Sequence, residues 1–495
     1  MVSKLHVRWF YGIGLLFLLL NVFCFAFDFY YIAALPLIPI FIYLLFHHTD
    51  KIILFLAFAT PLSIPFKDIG AGIGLSLPTE PLIVLLFFGV LFKLVSGKKF
   101  EMRILKNPVV VIALLTMLWL FITTITSTHP LVSFKYSLSY TWYILVFLVL
   151  LTHFFKSEKA MTLFVWLFSI ATVILTLYTL KNHAAESFTR LYAYTAMRPF
   201  IPDHGMYAAA ISFALPPMLI IGLFGRKMKV SWFWTFVALG MALVIAVGVI
   251  FSFTRASWLS LIVAFGVFAL LMAKVKFKTV ITVGVSFLAV FLLFQAFIFS
   301  ELARNKQDSD DDIGSHLQSF SNVSTDPSNL ERLNRWSCVY RMFLDKPITG
   351  FGPGTYTYEY GIYQLPHEMS IISTHAGDLG NVHSEYLRPF AESGILGGIL
   401  WIALVLATMH QGFQVYYEAN SHRIKGLVLG ALLGLVTYFI HGFLNNYSEF
   451  DKIAVPMWGF IAMIIAAKTY HMDDNSNKLT QKAPDLNESQ DTKSA

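Results

Sequence analysis

His383, in the run NVHSEYL, is the side chain whose type best suits proton transfer, because an imidazole changes protonation near neutral pH and is the usual general base. It lies in the one long polar stretch of an otherwise apolar chain, and arginines gather with it. Arg332, Arg335 and Arg341 share one short helix, Arg332 and Arg335 on adjacent turns, with Trp336 between the apolar and polar faces. Upstream, Arg198 in TAMRPFIPDHG has His204 close by, and Arg255 sits in FSFTRASWLS; each stands just before an apolar stretch. Guanidinium forks bind phosphate oxygens in pairs, so arginines on one face suit a diphosphate. The plainer readings are a structural histidine, an Arg255 that anchors among lipid headgroups, and arginines tied up by Glu331, Asp345 and their neighbours.

The elements that must position these groups are legible. Leu330 to Leu344 has helical periodicity, with Leu333, Trp336, Val339, Tyr340 and Phe343 on one side, and ends at Lys346-Pro347. The glycines of ITGFGPGTY exclude regular helix. GFGPGTY could cradle phosphate through backbone N–H groups, but it lacks the Lys-Ser/Thr ending of a nucleotide-binding loop, so a structural turn is the better reading. His383 to Phe390 leads, after Ser-Gly, into a helix starting at Ile395. The aromatic run TYTYEYGIY offers faces for sugar stacking or an interfacial belt. Gln307 to Asp312 (QDSDDD) lacks the glycine and final glutamate of a calcium loop and reads as a solvated acidic loop. Cys24 and Cys338 lie in different settings and make no metal-ligand spacing or disulfide. With only Asp28 in the first outward loop, no paired carboxylate stands there to hold a metal at a diphosphate. That argues for metal-independent chemistry with no cofactor.

The chain has 495 residues, of which 57% are hydrophobic and 13% charged, with mean hydropathy +0.66. A soluble domain carries nearly twice that charge. Solid apolar runs of about 17–25 residues recur from end to end, each able to cross a bilayer, and their lack of alternation excludes a membrane β-barrel. The expected fold is all-α and polytopic, with about twelve to fourteen transmembrane helices near 10–27, 30–46, 51–66, 80–96, 108–126, 138–154, 161–180, 205–224, 231–252, 256–273, 279–299, 394–416, 425–444 and 453–469. The third carries Pro61 and Pro65 and reads as broken or re-entrant. The first, after Lys4 and Arg8, lacks a small-residue cleavage site and reads as a retained helix.

The net charge of +7 does not point to nucleic acid. Lys98, Lys99, Arg103 and Lys106, then Lys156 with Lys159, Arg226 with Lys227 and Lys229, Lys274 with Lys276 and Lys278, and Arg423 with Lys425 fall in short loops of one phase. With a cytoplasmic N-terminus all lie inside. The expected organisation is an N-terminal transmembrane bundle over 1–300, a large extracytoplasmic loop over 301–393, C-terminal transmembrane helices over 394–470, and a disordered cytoplasmic tail over 471–495.

The ordered elements of this chain resemble the O-antigen ligase / O-antigen polymerase superfamily. Arg332 and Trp336 fit an R-x-x-x-W element, DKPITGFGPGTY a glycine-punctuated stretch, His383-Ser384-Glu385-Tyr386-Leu387 an H-N-x-Y-L motif, and ESGILGGILW the lead-in to the next helix. FTRAS and RPFIPDHGMYAAA fit two upstream elements. Ser384 stands where Asn is usual, and His204-Gly205 stands for Pro-Asn. The resemblance implies a GT-C-like membrane glycosyltransferase of the bacterial inner membrane. Such enzymes move a glycan from a polyprenyl diphosphate carrier to an acceptor hydroxyl, on lipid A–core or a similar acceptor, at the extracytoplasmic face.

On that reading His383 is the general base, and Arg198 and Arg255 act on the leaving diphosphate. Arg332, Arg335, Trp336, Glu385 and Tyr386 support substrate binding, with Glu385 orienting His383 or an acceptor. Attack opposite the leaving group implies inversion. A polymerase and a protein O-oligosaccharyltransferase are alternatives within the superfamily. A non-catalytic transporter is the alternative of another class, but it would place charges at mid-membrane depth, and here they gather at one face.

Overall fold

A computed structural model describes residues 4–26, 37–66, 74–97, 101–286, 289, 327–374 and 380–472. The sequence readings for Asp28, the Gln307–Asp312 loop, the second half of the 279–299 span and the tail beyond residue 472 lie outside these residues. The described chain is helical apart from a small antiparallel hairpin, Ile64–Phe66 with Leu75–Leu77. We number the principal helices in chain order: α1 Lys4–Phe25, α2 Leu37–His47, α3 Thr49–Ala59, α4 Thr79–Val95, α5 Pro108–Ile125, α6 Pro130–Phe154, α7 Glu158–Ala185, α8 His204–Phe224, α9 Trp232–Ile250, α10 Arg255–Met272, α11 Pro327–Asp345, α12 Arg388–Glu418, α13 His422–His441 and α14 Asp451–Tyr470.

Nine of these, α5 to α10 and α12 to α14, are long and apolar enough to cross a membrane, or ten elements if a bent pair counts as one span. The chain is a polytopic all-α membrane protein. Among the described residues the number is lower for local reasons. The second and third expected spans form one element bent by 112° at His48, so the break falls between them, and Pro61 closes a single 3-10 turn, Thr60–Leu62. The expected span at 80–96 is the 17-residue α4, and the apolar part of α1 is Tyr11–Phe25.

Helices α8, α13 and α14 are the most enclosed, while α5, α9 and α10 expose long apolar faces. Small residues permit this packing. Gly426, Gly430 and Gly434 recur every fourth residue on α13 and lie against Met228, Pro217 and Phe460, where a methyl group would find no room.

The connections put two ends in opposition. At one end α8, α10, α12 and α14 begin and α13 ends; at the other lie Arg226, Lys227, Lys229, Lys274, Arg423 and Lys425. Contacts tie the basic end together: Arg423 Nε donates to the Met228 carbonyl at 3.2 Å, and Tyr417 OH to the Val275 carbonyl at 2.9 Å.

The polar segment caps the first end. Helix α11 packs on α12, and Cys338, Val339, Met342, Phe351, Tyr356, Tyr360, Val382 and Ala391 form a small core of their own. Helix α12 breaks at Gly394 (φ 67°, ψ −166°). The carbonyls freed there are used by the glycine turn: Phe351 N–H donates to Ala391 O at 3.0 Å and Gly352 N–H to Glu392 O at 2.8 Å, while Ile395 N–H donates to Pro347 O at 2.9 Å. Gly350, Gly352 and Gly354 all have positive φ. GFGPGTY is thus a structural turn, because its central N–H groups are committed to α12.

Candidate active site

His383 sits half-buried in the loop before α12, in a left-handed conformation (φ 56°). Its backbone N–H donates to Asn446 Oδ1 at 3.0 Å, and Asn446 Nδ2 in turn donates to Asn381 Oδ1. The imidazole pKa is pushed down to about 4, first by desolvation and then by the charges of Arg332 and Arg335, against a raising hydrogen bond with Asn445. His383 is therefore a neutral imidazole at pH 7, able to accept a proton.

Arg332 is the cation that shapes this place. Its Nε donates to the Leu444 carbonyl at 3.1 Å and its Nη1 to Ser328 Oγ at 2.8 Å. The FLNNYSEF loop between α13 and α14 thus holds both Arg332, through Leu444, and His383, through Asn446. Asn445 serves a second imidazole, donating to His441 Nε2 at 3.0 Å, and His441 Nδ1 lies 3.1 Å from Ser257 Oγ. Ser257 is in the first turn of α10, which Arg255 opens. Thr254, the residue before Arg255, donates to the His204 carbonyl at 3.3 Å. Asp203 caps α8 through the Met206 N–H at 2.9 Å and accepts from Tyr447 OH at 3.3 Å. A side chain at Gly205 would collide with that Tyr447 hydroxyl, which explains a glycine after His204. One polar network therefore joins the starts of α8 and α10, the end of α13, the 442–450 loop and His383.

The remaining residues singled out in the sequence have other surroundings. Arg198 is exposed, with Nε 3.5 Å from the Pro202 carbonyl, in a loop strapped to α7 by Tyr178 OH and Asn182. Arg335 is buried, pairs with Glu331 at 2.5 Å and stacks 3.9 Å from the centre of the Tyr360 ring. Arg341 pairs with Glu368 at 2.5 Å. The ion pair with Glu331 weighed from the sequence is present for Arg335, whereas Arg341 has Glu368 as its partner and Asp345 accepts from Tyr363 OH. Trp336 is partly buried with an indole N–H that has no acceptor among the described residues.

Glu385 faces away from His383 in its bonding. It accepts from Tyr438 OH, Ser448 N–H at 2.7 Å and Ser448 Oγ at 2.9 Å, with Arg388 at 3.4 Å. Tyr386 stacks on Phe443 with centres 4.1 Å apart and donates to the Phe439 carbonyl at 3.0 Å. Both pin the His383 loop to the end of α13.

Sequence reasoning missed His441, Asn445, Asn446 and Tyr447, and the cluster in which buried Arg388 meets Glu385, Glu392, Glu449 and Tyr136. The available signal was the density of hydrogen-bonding residues in FLNNYSEF between two apolar spans.

The fold and this polar cap define a multi-pass membrane protein with one chemically equipped end. Residues 239–402 match the sequence model of a family described as O-antigen ligase, which supports the resemblance to the O-antigen ligase superfamily. The match contains Arg255, Arg332 and His383; Arg198, His441 and the 442–450 loop lie beyond it. No curated protein matches the chain. Family members are membrane glycosyltransferase-like enzymes of polysaccharide assembly, and the family implies a lipid-linked glycan donor and a glycan acceptor.

Proposed function

We propose that this chain is an inverting ligase that moves a glycan from a polyprenyl diphosphate to an acceptor hydroxyl, on lipid A–core or a similar glycan. The observation that carries the reading is the neutral imidazole of His383 under the charge of Arg332, both held by one loop. His383 takes the proton of the acceptor hydroxyl as its oxygen attacks the anomeric carbon. The bond from that carbon to the phosphate oxygen breaks with its electron pair going to the diphosphate. Arg332 and Arg255 stabilise the charge that develops there, and the exposed Arg198 supplies a further cation at the same end.

Arg335, Glu385 and Tyr386 act as positioning residues, because their partners are protein groups. Asn446 fixes the His383 backbone, and Asn445 bonds its imidazole. The basic end is cytoplasmic by the positive-inside rule, so the N- and C-termini lie inside and transfer occurs at the extracytoplasmic face of the inner membrane.

The test is transfer by purified protein from a polyprenyl diphosphate glycan to lipid A–core, with wild type compared with His383→Ala. Near-normal transfer by the variant would sink the assignment. Longer carrier-linked chains without transfer would make the enzyme a polymerase, and glycan on a protein acceptor would make it a protein O-oligosaccharyltransferase. Retained anomeric configuration would contradict direct displacement.

A further inference from the structure

The basic end of the bundle carries a crevice that the transfer reaction does not use. Phe224 of α8, Met272 of α10 and Leu429 of α13 give it apolar walls enclosing about 230 Å³, and Lys227, His422 and Lys425 stand at its rim. On the other side of Met228 a second crevice of about 130 Å³ has Lys159 and Arg423 at its mouth. Trp232 and Trp234, at the start of α9 at this same end, are 59% and 50% exposed, and indoles concentrate at the headgroup level of a bilayer.

The rim cations are not neutralised within the described residues. Lys425 Nζ donates only to the Tyr417 carbonyl, at 3.4 Å, and Lys227 Nζ sits 5.8 Å from the centre of the Phe224 ring. The carboxylates on this side have other partners: Glu158 accepts from Ser421 at 3.1 Å and Glu418 from Gln414 at 3.1 Å. An apolar slot at headgroup depth with paired ammonium groups at its mouth matches a molecule with a greasy chain and a negative head.

We propose that the larger crevice is a specific site for an anionic glycerophospholipid, with its phosphate between Lys227 and Lys425 and an acyl chain along Phe224, Met272 and Leu429. The charge discriminates against zwitterionic lipids, whose ammonium would face the same lysines. The site lies at the opposite end from His383, so it stands or falls separately from the transfer reaction.

The experiment is native mass spectrometry of the full-length protein released from nanodiscs of phosphatidylcholine, with and without phosphatidylglycerol. The expected result is retention of phosphatidylglycerol in preference to phosphatidylcholine. Retention should weaken roughly fivefold per lysine removed, about 25-fold for Lys227→Gln with Lys425→Gln. Lys227→Arg with Lys425→Arg should keep it, as should Lys229→Gln with Lys276→Gln at the same end. Equal retention of both lipids, no loss in the glutamine variant, or full displacement by inorganic phosphate would each overturn the proposal. If the glutamine variant does not fold, loss of the preference in Lys425→Gln alone decides.

Discussion

The side-chain carbonyl of Asn446 accepts the backbone N–H of His383 at 3.0 Å and holds that residue at φ 56°, a conformation that side-chain-bearing residues seldom adopt. The His383 backbone is thus positioned by a loop that lies more than sixty residues downstream. Replacing Asn446 with Ala removes the acceptor and the partner of Asn381 together. Transfer should fall by roughly 10- to 100-fold, in kcat more than in KM, because the acceptor hydroxyl meets a displaced base. Steady-state kinetics with both substrates check this; an unchanged kcat would detach the loop from catalysis.

The charge of Arg332 gives a pH prediction with a definite sign. Burial and Arg332 depress the His383 pKa from about 6.5 to about 4. The neutral base therefore persists as pH falls through 6.5, and the acid limb of kcat/KM that belongs to His383 lies below 6.5. Its matching contribution to folding stability is present above 6.5 and is lost as pH falls from there toward 4. Arg332→Gln removes a cation that lowers the pKa, so the acid limb should move up toward 6.5 while the rate at its plateau also drops. A limb that moves down, or stays in place, would contradict the coupling.

Gly394 tests the break in α12. Its φ of 67° and the Ile348 carbonyl, which an added methyl carbon would overlap, leave no room for a side chain. Gly394→Ala should destabilise the protein by about 1–3 kcal/mol or more and loosen the 347–352 turn. Thermal unfolding in detergent and protease sensitivity of that turn report it. Unchanged stability would show that the break is not required.

Asp451 and Lys452 open α14 as a buried pair, 3.6 Å apart. Asp451 Oδ2 accepts from Ser63 Oγ at 2.6 Å and from Thr79, and Lys452 Nζ donates to the Ser63 carbonyl at 2.8 Å. These bonds fasten Ser63 and Thr79, which flank the two hairpin strands, to the bundle. Asp451→Ala strands a buried ammonium and should lower stability by roughly 3–5 kcal/mol, whereas Asp451→Asn with Lys452→Met should lower it less. Equal losses would show that the charge itself is immaterial.

Much of the architecture was legible because membrane crossing imposes long apolar blocks. The α11 helix, the glycine turn and the break after Ser393 were likewise visible from periodicity and glycine spacing. Tertiary pairing was not. Nothing local in NVHSEYL says that Glu385 and Tyr386 turn toward Tyr438, Ser448 and Phe439 while His383 turns toward Asn445 and Asn446. Arg335 reads like Arg332 in sequence, and only the fold shows Glu331 and Tyr360 enclosing one and the Leu444 carbonyl orienting the other. His441 lay inside the expected 425–444 span with no local signal, and only the fold puts Ser257 and Asn445 on its two ring nitrogens. The bend at His48 carried no proline signal at all.

The role of His383 as the base for glycan transfer is open to one decisive assay. Purified full-length protein in nanodiscs is given a polyprenyl diphosphate glycan and lipid A–core in the presence of EDTA, and product is quantified for wild type and His383→Ala. The wild type should transfer glycan, and the variant should lose about 100- to 10,000-fold of that activity. Transfer by both at similar rates would contradict that role.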